Sequence, residues 1–132
     1  MILLEEHLQE CGFEKYFKKL VKELDGKKVV VYGTGMMFEL VQKKYDLSQI
    51  NIIGVSDIKY FPTQEDELDF GYKIIPLEKL EECDADVVLL GVQKYHPIME
   101  EFKEEYFLDK PVKIVPLVKV PFLKRVKDIF FD

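Results

Sequence analysis

The chain has 132 residues, 48% of them hydrophobic, with ten Phe and seven Tyr but only seven Gly and six Pro. This size and balance fit one globular domain with a single core and exclude fibrous and low-complexity chains. A formal charge of −6 argues against a nucleic-acid partner, which needs a concentrated basic face, and no apolar run approaches a transmembrane span.

Leu3, Leu4, Leu8 and Cys11 form a short apolar set beside His7, for which a structural role is expected. Phe13, Tyr16, Phe17, Leu20, Val21 and Leu24 then recur at the 3.6-residue period. They predict a helix separated from the first set by a break near Gly12 and ending near Asp25-Gly26. Glu5 and Glu6 stand where a signal peptide would carry basic residues, so a cytoplasmic location is expected. Cys11 and Cys83 lie far apart, with no CxxC and no adjacent histidine. Reduced thiols are the expectation, a metal site is not, and spacing alone leaves a disulfide open.

Val29 to Tyr32 is an unalternating, β-branched run, as in a strand covered on both faces. The turn "GTG", Gly33 to Gly35, follows, and Met37, Leu40, Val41 and Lys44/Tyr45 mark a helix. Ile50 to Val55 is a second strand, stopped at Ser56-Asp57. The stretch "IKYFPTQEDELDFGY" has no convincing period and reads as a long excursion, with a helical turn around "QEDEL". Its acidic run lacks the ligand spacing and central glycine of a calcium loop, so a solvated loop is expected.

Lys73 to Ile75 is a short third strand, and Pro76 can open the helix "PLEKLEE". Val87 to Val92 is a fourth buried strand, followed by Pro97 at a helix start with Ile98/Met99, Phe102 and Tyr106 on one face. Lys113 to Leu117 is a fifth strand. Phe122, Leu123, Val126, Ile129 and Phe130 give the tail helical spacing. Alternating strands and helices predict a three-layer α/β domain, an open parallel sheet of about five strands in the order 3-2-1-4-5, with a crevice above strands 1 and 4. One domain is expected: residues 1–26 a helical segment, 27–118 the core, 119–132 a closing helix.

Gly33 permits the bend off strand one, and Gly35 lets the main chain approach a phosphate. The first helical turn, from Met36, then aims unpaired N–H groups at that spot. Asp57 follows Gly35 by twenty-two residues, close to the spacing at which a carboxylate accepts from a ribose diol. It would repel a 2′-phosphate, although Lys59 is near. Phe38 stands where a third glycine normally allows close helix–strand packing. Its ring either pushes the helix outward, turns up into the crevice where a smaller nucleotide could stack on it, or fills core, the glycines then only making a turn.

Gly91 ends strand four, and its loop holds Gln93, Lys94, Tyr95 and His96 at the sheet edge where ligands bind. His96 could contact a phosphate or act as a base, but a cap or surface position before Pro97 fits equally. Tyr106 and Lys110 share a YxxxK spacing that Pro111 and the absence of a serine partner make coincidental. No catalytic set emerges. Lys119, Lys124, Arg125 and Lys127 surround the apolar face of the tail, a basic pattern that could touch anionic lipid. Docking on the sheet or on a second subunit is the plainer role. The N-terminal helix has an apolar stripe that could likewise serve a homodimer.

"KKVVVYGTG", "INIIGVSD" and "GYKIIPLEKLEECDADVVLLGV" together resemble a Rossmann-like module of bacterial polysaccharide biosynthesis. Such modules form the N-terminal domain of sugar O- and N-acyltransferases and are attached to glycosyltransferases and sugar methyltransferases. The similarity runs from about Lys27 to Val115 and is generic to several families. It implies a nucleotide-sugar over the first glycine turn and an acid near the nucleoside, hence Gly33, Thr34, Gly35 and Asp57. Phe38 in place of glycine, no second acid after Asp57, and no left-handed β-helix repeats depart from it, so acyl transfer is not expected of this chain. The expected function is a nucleotide or nucleotide-sugar binding module, non-catalytic by itself and associated with cell-surface polysaccharide synthesis, where a glycan-biosynthesis protein could be its partner. The binding set is Gly33, Thr34, Gly35, Met36, Phe38, Asp57, Gly91 and His96. The alternatives are the NAD-binding part of an oxidoreductase or transferase completed by another subunit, and an interaction domain with no ligand.

Overall fold

In the computed structural model, residues 12–92, 95–102 and 112–119 are described. The expectations for Leu3 to Cys11, Gln93, Lys94, Tyr106, Lys110 and the tail helix fall outside these residues. Gly12 adopts φ 64°, the left-handed conformation that glycine tolerates, and α1 (Phe13–Glu23) starts directly after it. Phe13, Phe17 and Leu20 put its apolar stripe in the core, and the Tyr16 hydroxyl donates to Pro116 O at 2.6 Å. That stripe is therefore buried within its own chain and is not the dimer surface entertained for it.

Four strands form the parallel sheet: β1 (Val29–Tyr32), β2 (Ile52–Ser56), β5 (Val87–Leu90) and β6 (Lys113–Pro116), in the order β2-β1-β5-β6. Their side chains alternate between two apolar layers. Val29, Val31, Val87, Leu89 and Val115 face one core, which α1 and α2 (Met36–Lys44) cover. Val30, Val88 and Leu90 face the other, with Leu80, Tyr95 and Phe102 from the segment Leu77–Glu82 and from α3 (His96–Glu101) and its end. Burial on both faces explains why the strand runs show no polar alternation. This is the expected Rossmann-like α/β arrangement.

The third strand of the expectation is contracted to one parallel bridge, Ile74 with Val55. Hydrogen bonding gives the reason. On the side facing β2, Ile75 N–H reaches Val55 O at 2.8 Å, while on the opposite side Ile74 N–H donates to Glu67 O and Ile74 O accepts from Asp66 N, which turns the chain into a hairpin rather than a longer strand. The hairpin pairs β3 (Leu68–Asp69) with β4 (Tyr72–Lys73) across a two-residue turn, Phe70 at φ 56° and Gly71 at φ 84°. Two positive φ angles match the sense of turn that suits strand twist. The predicted helix "PLEKLEE" is a 3-10 segment, Leu77–Glu82. Its apolar residues Leu77 and Leu80 lie three apart, the interval at which such a helix eclipses its side chains.

Candidate functional site

The strand order reverses between β1 and β5, so the ends of these two strands carry the crevice. Here the two glycines meet. Gly33 has φ 99°, and a methyl group on it would stand 2.5 Å from Val92 Cγ1. One on Gly91 would stand 2.3 Å from Gly33 O and 3.3 Å from Phe38 Cβ. The close approach that the third glycine of the usual pattern gives on the helix is supplied here from the opposite strand. Phe38 can therefore remain a phenylalanine without displacing α2. Its side chain is fully buried, edge-on to Phe70 with ring centroids 5.2 Å apart. Of the three readings of this ring, the core position is the one observed.

Gly35 is the N-cap of α2 and makes no side-chain cap; among the described residues no atom beyond its chain neighbours lies within 4 Å of where its Cβ would be. Met36 beside it is 75% exposed. The helix start is thus open above a fixed turn. Thr34, in contrast, is buried and held on every side. Its N–H donates to Asp57 Oδ2 at 2.8 Å, and Lys59 Nζ donates to its carbonyl at 2.9 Å. Tyr60 OH donates to Asp69 Oδ2 at 2.6 Å. A phenol has one proton, so in the 2.9 Å contact between Thr34 Oγ1 and Tyr60 OH the threonine is the donor, with Asp57 Oδ2 at 3.4 Å a second, longer acceptor for the same proton. Burial, and after it the Asp69 hydrogen bond, hold the Tyr60 phenol well above its ordinary range.

Asp57 therefore has a role that spacing did not show. Oδ2 anchors Thr34, and Oδ1 accepts from Lys59 N–H at 3.0 Å, which curls the loop after β2 over the turn. A carboxylate oxygen has two acceptor positions, so Oδ1 retains one. Lys59 Nζ also lies 5.4 Å from the Tyr60 ring centre and 5.8 Å from that of Phe70. Tyr60, Asp69 and Phe70 were missed because they belong to the aperiodic excursion; the Phe70-Gly71 pair flanked by short β-type residues was its single usable signal. Gly91 is part of the wall beneath the crevice. Pro97 lies in the first turn of α3, as expected, but the helix already begins at His96 and its N-cap is Tyr95.

Beside this cluster lies an open hollow of about 400 Å³ lined by Ile58, Tyr60, Leu77 and Glu78. Among the described residues there is no group of acidic, His and Cys side chains that could hold a metal, and Cys83 forms no disulfide. No helix among them is long and apolar enough to cross a membrane.

No protein-family model matches the chain, nor does any curated protein. Among solved structures the chain is similar to RSP in complex with β-NAD+ and operator DNA, at 14% identity and a TM-score of 0.48, over 88% of this chain and 61% of that one. RSP, described as a Rex-family repressor, also matches in complex with β-NADH at 15% identity and 0.47, over 88% and 65% of the two chains. UDP-D-quinovosamine 4-dehydrogenase from Vibrio fischeri matches at 17% identity and 0.43, over 77% and 84%. This chain thus spans 61% to 65% of the RSP chains in those two complexes. Identity and overlap this low say nothing of a ligand; the Rossmann-like assignment stands on the strand order and the helices on both faces.

Proposed function

We propose that this chain binds a nucleotide or nucleotide-sugar, has no catalytic activity by itself, and serves cell-surface polysaccharide synthesis. The observation that carries the binding reading is the open, uncapped start of α2 at Gly35. Its first-turn N–H groups carry partial positive charge and suit an anion. Lys59, held at the carbonyl of Thr34, adds a full positive charge at the same rim. In this reading the phosphates lie over Gly33 to Met36, a ribose hydroxyl donates to the remaining acceptor position of Asp57 Oδ1, and Gly91 and the loop leading to His96 form the opposite wall. The polysaccharide setting is supported by the sequence resemblance alone.

Gly35→Asp is the discriminating variant. Gly35 has φ −86°, which any residue adopts, and space for a side chain. An aspartate there caps the helix and stabilises the fold by a few tenths of a kcal/mol, roughly the amount by which Asp exceeds Gly at this position. Its charge also occupies the phosphate seat. Thermal-shift titration with a UDP-sugar, NAD and AMP should give stabilisation that grows with ligand concentration in the native chain. In Gly35→Asp the fold should be slightly more stable and the ligand response absent. An undiminished response would place the ligand elsewhere. A response to NAD alone favours the dehydrogenase-type alternative, and no response to any of the three favours an interaction domain, for which Ile58, Phe61 and Leu68, 68% to 80% exposed, are the contact surface.

A further inference from the structure

We infer that the hollow lined by Ile58, Tyr60, Leu77 and Glu78 reads the base of that nucleotide and selects one presenting an amino group (adenine, guanine or cytosine) over uracil. This rests on the nucleotide reading above. The placement follows from connectivity. Ile58 directly follows Asp57, the proposed ribose contact, and Leu77 follows the Ile74–Val55 bridge and Pro76 on the neighbouring segment. Tyr60 belongs to both places, because its hydroxyl contacts Thr34 on the glycine turn while its side chain lines the hollow. A base extending from a ribose at Asp57 on the side away from the phosphates enters between Ile58 and Leu77.

The lining then fixes the chemistry. Ile58 is 80% exposed, an apolar side chain with nothing covering it among the described residues, and a flat ring laid on it would remove that surface from water. Tyr60 OH is already engaged with Asp69 and Thr34 and has no proton left to offer. Among the described residues, Glu78 is the remaining polar side chain of the lining, and it makes no hydrogen bond or ion pair with any of them. A carboxylate only accepts. The exocyclic amino groups of adenine, guanine and cytosine donate from the end of the pairing edge, whereas the single N–H of uracil lies between two carbonyl oxygens, so a carboxylate that accepts from it is flanked by an acceptor on either side.

Isothermal titration of the full chain with AMP, GMP, CMP, UMP and ribose 5-phosphate tests this. At least one amino-bearing nucleotide should bind about tenfold tighter than UMP, the order of a hydrogen bond to a charged acceptor. Whichever of AMP, GMP and CMP does so identifies the base. Glu78→Gln, on an exposed side chain, exchanges an acceptor for a group that also donates. It should narrow the gap to about twofold and leave ribose 5-phosphate unchanged. UMP binding as tightly as the other three, or Glu78→Gln without effect on the preference, overturns the base subsite while the nucleotide reading stands. Binding of none of the five compounds overturns both.

Discussion

Replacing Phe38 with alanine removes a ring that is fully buried beneath the crevice. Its surroundings cannot close over the space, since the backbone of Gly91 and the sheet lies on one side and Phe70 on the other. The cost therefore falls within the range for buried Phe→Ala changes, about 3–5 kcal/mol, including about 0.5–1.5 kcal/mol from the edge-to-face contact with Phe70. At roughly 4 °C per kcal/mol for a domain of this size, Tm should fall on the order of 12–20 °C. Phe38→Gly restores the familiar three-glycine spacing and should be worse still, by about 1 kcal/mol of helix propensity. Urea unfolding followed by circular dichroism measures both, with an unchanged m-value marking a loss of stability alone. A double-mutant cycle with Phe70→Leu should return the pair term. If Phe38→Ala costs less than about 1 kcal/mol, well below the core range, or if Phe38→Gly is more stable than the native chain, then the ring does not lie where described and the account of the missing glycine fails.

Gly91→Ala should cost about 1–3 kcal/mol, as overpacking does, because the added methyl meets the Gly33 carbonyl, a backbone atom that cannot rotate aside; an unchanged melting temperature would contradict the contact. Tyr16 and Tyr60 both have phenol pKa values raised above the ordinary 10.0, burial being the main cause in each. The folded state therefore holds protons that the unfolded state releases first, so stability is complete below pH 10 and falls as pH rises beyond it. Tyr16→Phe and Tyr60→Phe should each flatten that alkaline decline in denaturation curves recorded across pH; an equally steep decline in both variants would refute the assignment.

The sheet was legible because its strands are apolar on both faces. Runs such as "VVVY" and "VVLL" have one reading once helices separate them, and the order followed from connectivity. The start of α1 after Gly12 and its end were equally readable from one glycine and one apolar period. The hairpin was not. Its strands are two residues each, too short for a period, and its turn places an aromatic residue at positive φ, where sequence rules expect Asn, Asp or Gly. The contact that holds Phe70 there, the ring of Phe38, lies thirty-two positions earlier in the chain. At the site, the glycines and Asp57 were visible from spacing. That Asp57 would hold Thr34 was not, because a carboxylate's partners depend on where the following loop folds back. Nor could spacing show that the glycine matching Phe38 would come from another strand, at position 91.

The short antiparallel ribbon also governs how the molecule behaves in company. An open flank of β-structure invites foreign chains to add on and propagate. Along β2 that flank is occupied at Val55, whose carbonyl already receives Ile75, and the ribbon carrying Ile74 is fastened by Gln42 to Phe70 O at 3.2 Å and by Tyr60 to Asp69. A recruiting strand would first have to peel away this whole lashing.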